Sequence, residues 1–63
     1  MSFDEAVFAL ERGKRVARYG WPVWLTMPFK IIMVTSFDGE LIEWTPTDND
    51  KLAIDWIVEG GRL

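Results

Sequence analysis

The chain has 63 residues, no cysteine and no histidine, and a formal net charge of −3 with a pI near 4.7. These counts remove disulfides, Cys/His metal sites and the Ser–His and Cys–His nucleophiles, and the acidic balance argues against a general nucleic-acid binder built on many phosphate contacts. A chain this short buries only about 60% of the surface its extended form exposes, so residues 1–63 are expected to form one domain with little stability in reserve.

Ser2-Phe3-Asp4-Glu5 has the form of a capping box, and Phe3, Ala6, Val7 and Leu10 follow at helical spacing. A helix from Phe3 to Arg12 is predicted, with Gly13 just past its end and Arg12 and Lys14 near the negative pole of its dipole. Phe8 lies off the main stripe and is expected to offer a second contact surface. Arg15 to Arg18 alternates as a short strand and runs into a turn at Tyr19-Gly20-Trp21-Pro22. Val23 to Met27 is β-branched and aromatic, and Pro28 either places this segment on a sheet edge or ends it. Lys30 to Phe37 reads as a strand, Asp38-Gly39 as a hairpin turn and Glu40 to Trp44 as the returning strand. Thr47 can cap a short helix over Asp48 to Ala53, with Asp48 and Asp50 in its first turn. Asp55 to Glu59 is the closing strand, and Gly60 to Leu63 a loose tail.

The expected fold class is therefore α+β: a small, mostly antiparallel sheet, an N-terminal helix packed on one face, and a short second helix before the last strand. The other face and the edges are left open, and 49% hydrophobic residues with four tryptophans exceed what one small core hides easily. Both features point to a homo-oligomer. No apolar run approaches the ~20 residues that cross a bilayer, and the start, Met1 to Ala6, is acidic where a secretory signal is basic. A cytoplasmic protein with no membrane partner is expected.

Catalytic parts are scarce. Asp48, Asp50 and Asp55 lie close in sequence, but helix-start and strand-flanking roles account for them, and they lack the spacing of a calcium loop. Gly60-Gly61 has no helix after it and so is no phosphate loop. No catalytic residue, metal or cofactor is expected. The informative constellation is Lys14-Arg15-x-x-Arg18-x-x-Trp21. Arginine offers a forked donor to phosphate, and tryptophan a stacking plate for a base. The same residues also read as a solvated basic strand beside a core tryptophan, since strand alternation alone cannot put all four on one face unless the turn at Gly20 redirects Trp21. Trp24, Trp44 and Trp56 share that ambiguity between core, interface and pocket. Thr45 and Thr47 beside Trp44 can donate to a phosphate or ribose, or serve only the turn and the cap. Tyr19 is equally open.

Taken together, Phe3-Asp4-Glu5-Ala6 through Gly13-Lys14-Arg15-Val16-Ala17-Arg18, then Gly20-Trp21, resembles the opening of the second Thoeris anti-defense family of phage proteins. Asp38-Gly39, Trp44-Thr45-Pro46-Thr47, Leu52-Ala53 and Asp55-Trp56 match its second half in order and spacing. The resemblance covers most of the chain. It implies a sponge: a non-enzymatic homo-oligomer, typically a tetramer, that binds a cyclic nucleotide immune signal at subunit interfaces without cleaving it. The implied ligands are cyclic ADP-ribose isomers or cyclic di- and trinucleotides. By the same resemblance Trp21 and Trp44 are base-contacting aromatics, Arg18 a phosphate contact and Asp55 a polar anchor, with Thr45 added as a hydroxyl donor. The chain departs from the family in its middle, where only Pro22 to Phe29 stand in place of a longer pocket-forming loop. The alternative is a small acidic protein that inhibits a bacterial defence effector, such as a nuclease, through exposed aromatic and arginine anchors.

Overall fold

The computed structural model describes residues 1–36 and 38–61. Ser2 caps α1 (Phe3–Glu11): its hydroxyl accepts from the Glu5 amide while the Glu5 carboxylate accepts from the Ser2 amide, so the capping box is complete. The helix ends in the left-handed turn that Gly13 allows at φ 83°, where the Gly13 amide donates to Leu10 O and the Lys14 amide to Ala9 O, both at 3.0 Å. Its buried positions are Ala6, Ala9 and Leu10, so Ala6 and Leu10 of the expected stripe are buried, Phe3 and Val7 are half-buried, and Ala9 joins them. Phe8 is 52% exposed, with the Arg12 guanidinium over its ring. Removing the cap by Ser2→Ala is expected to cost about 1 kcal/mol. Urea unfolding should show this as a lower midpoint with an unchanged slope.

Five strands follow: β1 (Val16–Arg18), β2 (Leu25–Thr26), β3 (Met33–Thr35), β4 (Leu41–Glu43) and, after the short α2 (Asp48–Leu52), β5 (Trp56–Val58). They form one antiparallel sheet in the order β4-β3-β2-β1-β5. The first and last strands thus pair with each other, β5 forming one edge and β4 the other; β2 is the middle strand, so Pro28 ends that segment at a turn and does not place it on an edge. The α+β reading holds: the sheet is antiparallel, the N-terminal helix packs on it, and the short second helix precedes the last strand.

The strands are shorter than the sequence suggests. Lys30 has φ 63°, so the chain reverses between Pro28 and Ile31, and only Met33–Thr35 remains for β3. The expected strand from Lys30 to Phe37 therefore loses its first part to a turn, and Phe37 lies outside the described residues. The second hairpin turns as expected at Asp38-Gly39, closed by hydrogen bonds from Ser36 N to Glu40 O at 2.8 Å and from Gly39 N to Ser36 O at 3.0 Å. Gly60 and Gly61 sit in a turn held by the Gly61 amide on Val58 O; the rest of the expected tail, Arg62 and Leu63, lies outside the described residues.

Register assigns the two faces, because directly opposed residues of antiparallel strands point the same way. Val16, Leu25, Val34, Ile42, Trp56 and Val58 share the helix side. There α1 packs on β5 and β1 and touches α2. The core consists of Ala6, Ala9, Leu10, Val16, Leu25, Trp56 and Val58. The opposite face has no helix over it and carries Ala17, Ile57, Met33 and Leu41, of which Ile57 is 39% and Leu41 50% exposed. The β3–β4 hairpin extends beyond the helices: Ile42, on the helix side, is itself 49% exposed.

Candidate functional site

The region around Trp56 and Arg18 gathers most of the residues that the sequence singles out. The turn after β1 decides this. Gly20 at φ 87° lets the Trp21 amide donate back to Arg18 O at 3.1 Å, and the chain folds Trp21 onto the helix side. A side chain at Gly20 would be strained in that backbone conformation even though nothing crowds it. Trp21 then meets Trp56 and Trp44 edge-on, with ring centroids at 5.5 and 6.0 Å, and Trp44 meets Trp56 at 6.1 Å. Edge-to-face packing suits the positive rim and negative face of each indole. Trp56 is buried and also packs on Phe3; Trp21 and Trp44 pack against the core but stay half-buried. Trp24 is half-buried, one residue before Leu25.

Trp21 and Trp44 are therefore brought together, but as a corner. Their planes are inclined by 68°, so the two rings do not form parallel plates.

Arg18 is opposite Trp56 in the ladder and emerges on the helix side, where it reaches Asp50 of α2. Its Nε donates to Asp55 Oδ1 at 2.9 Å, one terminal nitrogen lies 3.5 Å from Asp55 Oδ2, and the other donates to Asp50 Oδ1 at 3.2 Å. Arg18 and Asp55 are thus in direct contact, and the three-residue cluster bears a net single negative charge. The Asp55 side chain and these neighbours raise the Arg18 pKa above its ordinary value. The Arg18 hydrogen bond holds the Asp55 carboxyl below the usual range.

Asp50 is the residue that the sequence reading placed too weakly, as a helix-dipole carboxylate. It is 7% exposed and does three jobs. Its Oδ2 accepts from the Thr47 amide at 2.9 Å, while its own amide donates to the Thr47 hydroxyl at 3.2 Å, completing a second capping box. Its Oδ1 takes the Arg18 donor, and its carbonyl oxygen accepts the Trp56 Nε1–H at 2.9 Å. Burial works against its charge, but the bonds from Thr47 and Arg18 outweigh that cost and hold its pKa below the usual carboxylate range. The signal was present as Thr47-x-x-Asp50, a Ser/Thr followed three residues later by a carboxylate.

Thr45 is exposed next to Trp44, and Tyr19 is 79% exposed at the rim, where its amide donates to Asp55 O. Arg15, from the same basic run, stays apart. It pairs with Glu59 beyond the other end of β1, its Nε donating to Glu59 Oε1 at 3.0 Å. Lys14 is likewise remote, so the four-residue constellation divides into Arg18 and Trp21 at one end of β1 and Lys14 and Arg15 at the other. Among the described residues no group of three or more acidic side chains is placed to hold a metal ion. Among the described residues no helix is long and apolar enough to cross a membrane.

Residues 1–59 match the family model for the Tad2-like domain, described as the Thoeris anti-defense 2-like domain. No curated protein matches the chain.

Proposed function

The chain belongs to the Thoeris anti-defense 2-like family, and from that membership we propose that it acts as a sponge, sequestering a cyclic nucleotide immune signal without breaking any bond in it. The family's description supports an anti-Thoeris role. One observation above the others supports the mechanism: two half-buried indoles, Trp21 and Trp44, meet at a 6.0 Å corner beside the only arginine on the helix side of β1. In this reading one indole face stacks on a base and the Thr45 hydroxyl donates to a ribose or phosphate oxygen. Arg18 contacts a phosphate through the guanidinium hydrogens that Asp50 and Asp55 leave free, and Asp55 anchors the guanidinium plane.

The charge at this site favours assembly. Arg18 is already outnumbered by Asp50 and Asp55, so a polyanionic ligand finds too little positive charge within one copy. Arg12, Lys14 and Lys30 lie on other segments, and Lys51, which follows Asp50 on α2, is offset by Asp48 of the same helix. We propose that a second copy supplies cations of this kind, so that the site is completed between protomers of a homo-oligomer, a tetramer by family resemblance. A sponge of this design works by mass action, through tight binding, slow release and abundance.

Calorimetry against cyclic ADP-ribose isomers and cyclic dinucleotides is the direct test, with the bound ligand released by heat and checked for integrity. Saturable binding with intact ligand recovered is expected. No binding across the panel by a folded oligomer overturns the reading, and recovery of a cleaved ligand makes the protein an enzyme. Trp21→Leu keeps apolar packing against Trp56 and removes the stacking face. Loss of about 1–3 kcal/mol of stacking predicts affinity weaker by about 5- to 150-fold, with native circular dichroism and an unchanged oligomer mass.

The alternative of an effector inhibitor draws on a different observation. Tyr19, Leu52 and Ile54 are each about 80% exposed on the segments around the Arg18 cluster. Pull-down from host lysate separates the readings: a stoichiometric protein partner favours inhibition, a retained nucleotide the sponge.

A further inference from the structure

The free edge of β4 combines features that a closed sheet does not leave together. The β3–β4 ladder extends past the strand bounds, since Ser36 N donates to Glu40 O and Trp44 N to Ile32 O, both at 2.8 Å. With Val34 opposite Ile42, these bonds fix the phase: residues 40, 42 and 44 turn their backbone groups toward β3. Leu41 and Glu43 therefore turn their amides and carbonyls outward, on the outermost strand of the sheet. All of Leu41–Glu43 is exposed, Leu41 by 50% on one face and Ile42 by 49% on the other. Asp38, Glu40 and Glu43 border this edge, and among the described residues none of them is in an ion pair.

We propose that the β4 edge accepts an extended, basic segment of a protein partner as a sixth antiparallel strand. An unpaired edge is a template for strand addition, with main-chain bonds giving affinity and alternate side chains giving choice. The acidic border selects the occupant. Pairing two copies of β4 about Ile42 places Glu43 diagonal to its symmetry mate on one face, and shifting the register to Glu43 places the two directly opposite, so like charges disfavour self-pairing. A basic segment gains where a second copy loses.

Register predicts the pattern. An antiparallel segment meets Glu43, Ile42, Leu41 and Glu40 in that order, which asks for basic, apolar, apolar, basic. Lys-Val-Val-Lys meets it. This reading rests on the free backbone edge of β4 and not on the indole corner, although Trp44 and Thr45 of the nucleotide site directly follow Glu43 in the chain.

The test titrates the full chain with two capped peptides, Thr-Lys-Val-Val-Lys-Thr and Thr-Glu-Val-Val-Glu-Thr, and reads backbone amides by NMR. With the lysine peptide, the Leu41 and Glu43 amides should shift and become protected from hydrogen exchange. Its affinity should exceed that of the glutamate peptide by about tenfold, from two favourable against two unfavourable cross-strand pairs, and added salt should narrow the gap. Glu43→Lys, at an exposed position, should shrink the preference while the fold is retained. Equal binding of the two peptides, shifts centred on other acidic residues, or no binding by either overturns the proposal. Protection of the Leu41 and Glu43 amides that rises with protein concentration alone overturns it in favour of self-pairing.

Discussion

Replacing Trp56 with alanine is expected to leave the chain unfolded at room temperature. Trp56 is the largest fully buried side chain, 1% exposed, and it touches Phe3, Trp21 and Trp44 with ring centroids at 5.6, 5.5 and 6.1 Å. Truncating a buried tryptophan costs about 3–5 kcal/mol. A domain of this length, at about 0.05–0.15 kcal/mol per residue, has only about 3–9 kcal/mol in total. The loss also removes the Nε1–H bond to Asp50 O and the surface on which both half-buried indoles rest. Far-UV circular dichroism and thermal unfolding provide the check. Trp56→Phe keeps a ring against Phe3 and loses the donor, so it should remain folded with a clearly lower midpoint. A cooperative transition for Trp56→Ala at the midpoint of the unmodified chain would show that the core is organised around other residues.

That keystone was not legible as such from the sequence, although much around it was. Both helices could be placed because their ends are written in local chemistry: Ser2 with Glu5, Gly13 past the last turn, Thr47 with Asp50. The order of the elements followed from alternation and from Asp38-Gly39. Strand length did not, because an extended run such as Lys30 to Thr35 has the same composition whether its first residues pair or turn. Only the positive φ at Lys30 separates the two, and nothing in a lysine announces it. The four tryptophans were equivalent by residue type. What distinguishes them is long-range: Trp56 lies opposite Arg18 in the ladder, and Trp21 is folded inward by Gly20. Arg18 shows the same limit. As a sequence element it is a free cation in a basic run. In the fold it is held by two carboxylates more than thirty residues away, Asp50 and Asp55.

Asp50→Ala should destabilise the chain by about 2 kcal/mol, close to what a lost helix cap and a lost charge-assisted hydrogen bond contribute together. The substitution removes the acceptor for the Thr47 amide and one of the two anionic partners of Arg18, while the backbone carbonyl that holds Trp56 remains. Asp50→Asn separates charge from shape through the pH dependence. Because the folded chain holds Asp50 below its ordinary value of 3.8, the carboxylate contributes its full stability above that pH, where the unfolded chain is ionised too. As pH falls below about 3.8 the unfolded chain takes up the proton first, and the contribution drains away until the folded Asp50 also protonates. The stability gap between the unmodified chain and Asp50→Asn should therefore be constant from neutral pH down to about 4 and close below it. Asp55 is depressed by the same arginine and titrates in the same direction, so Asp55→Asn should remove a further, smaller part of the acid sensitivity, as expected for a more exposed partner. Urea unfolding at a series of pH values measures all three chains. A gap that persists unchanged into strong acid would mean that Asp50 acts through the shape of its cap alone, with no contribution from its charge toward Arg18.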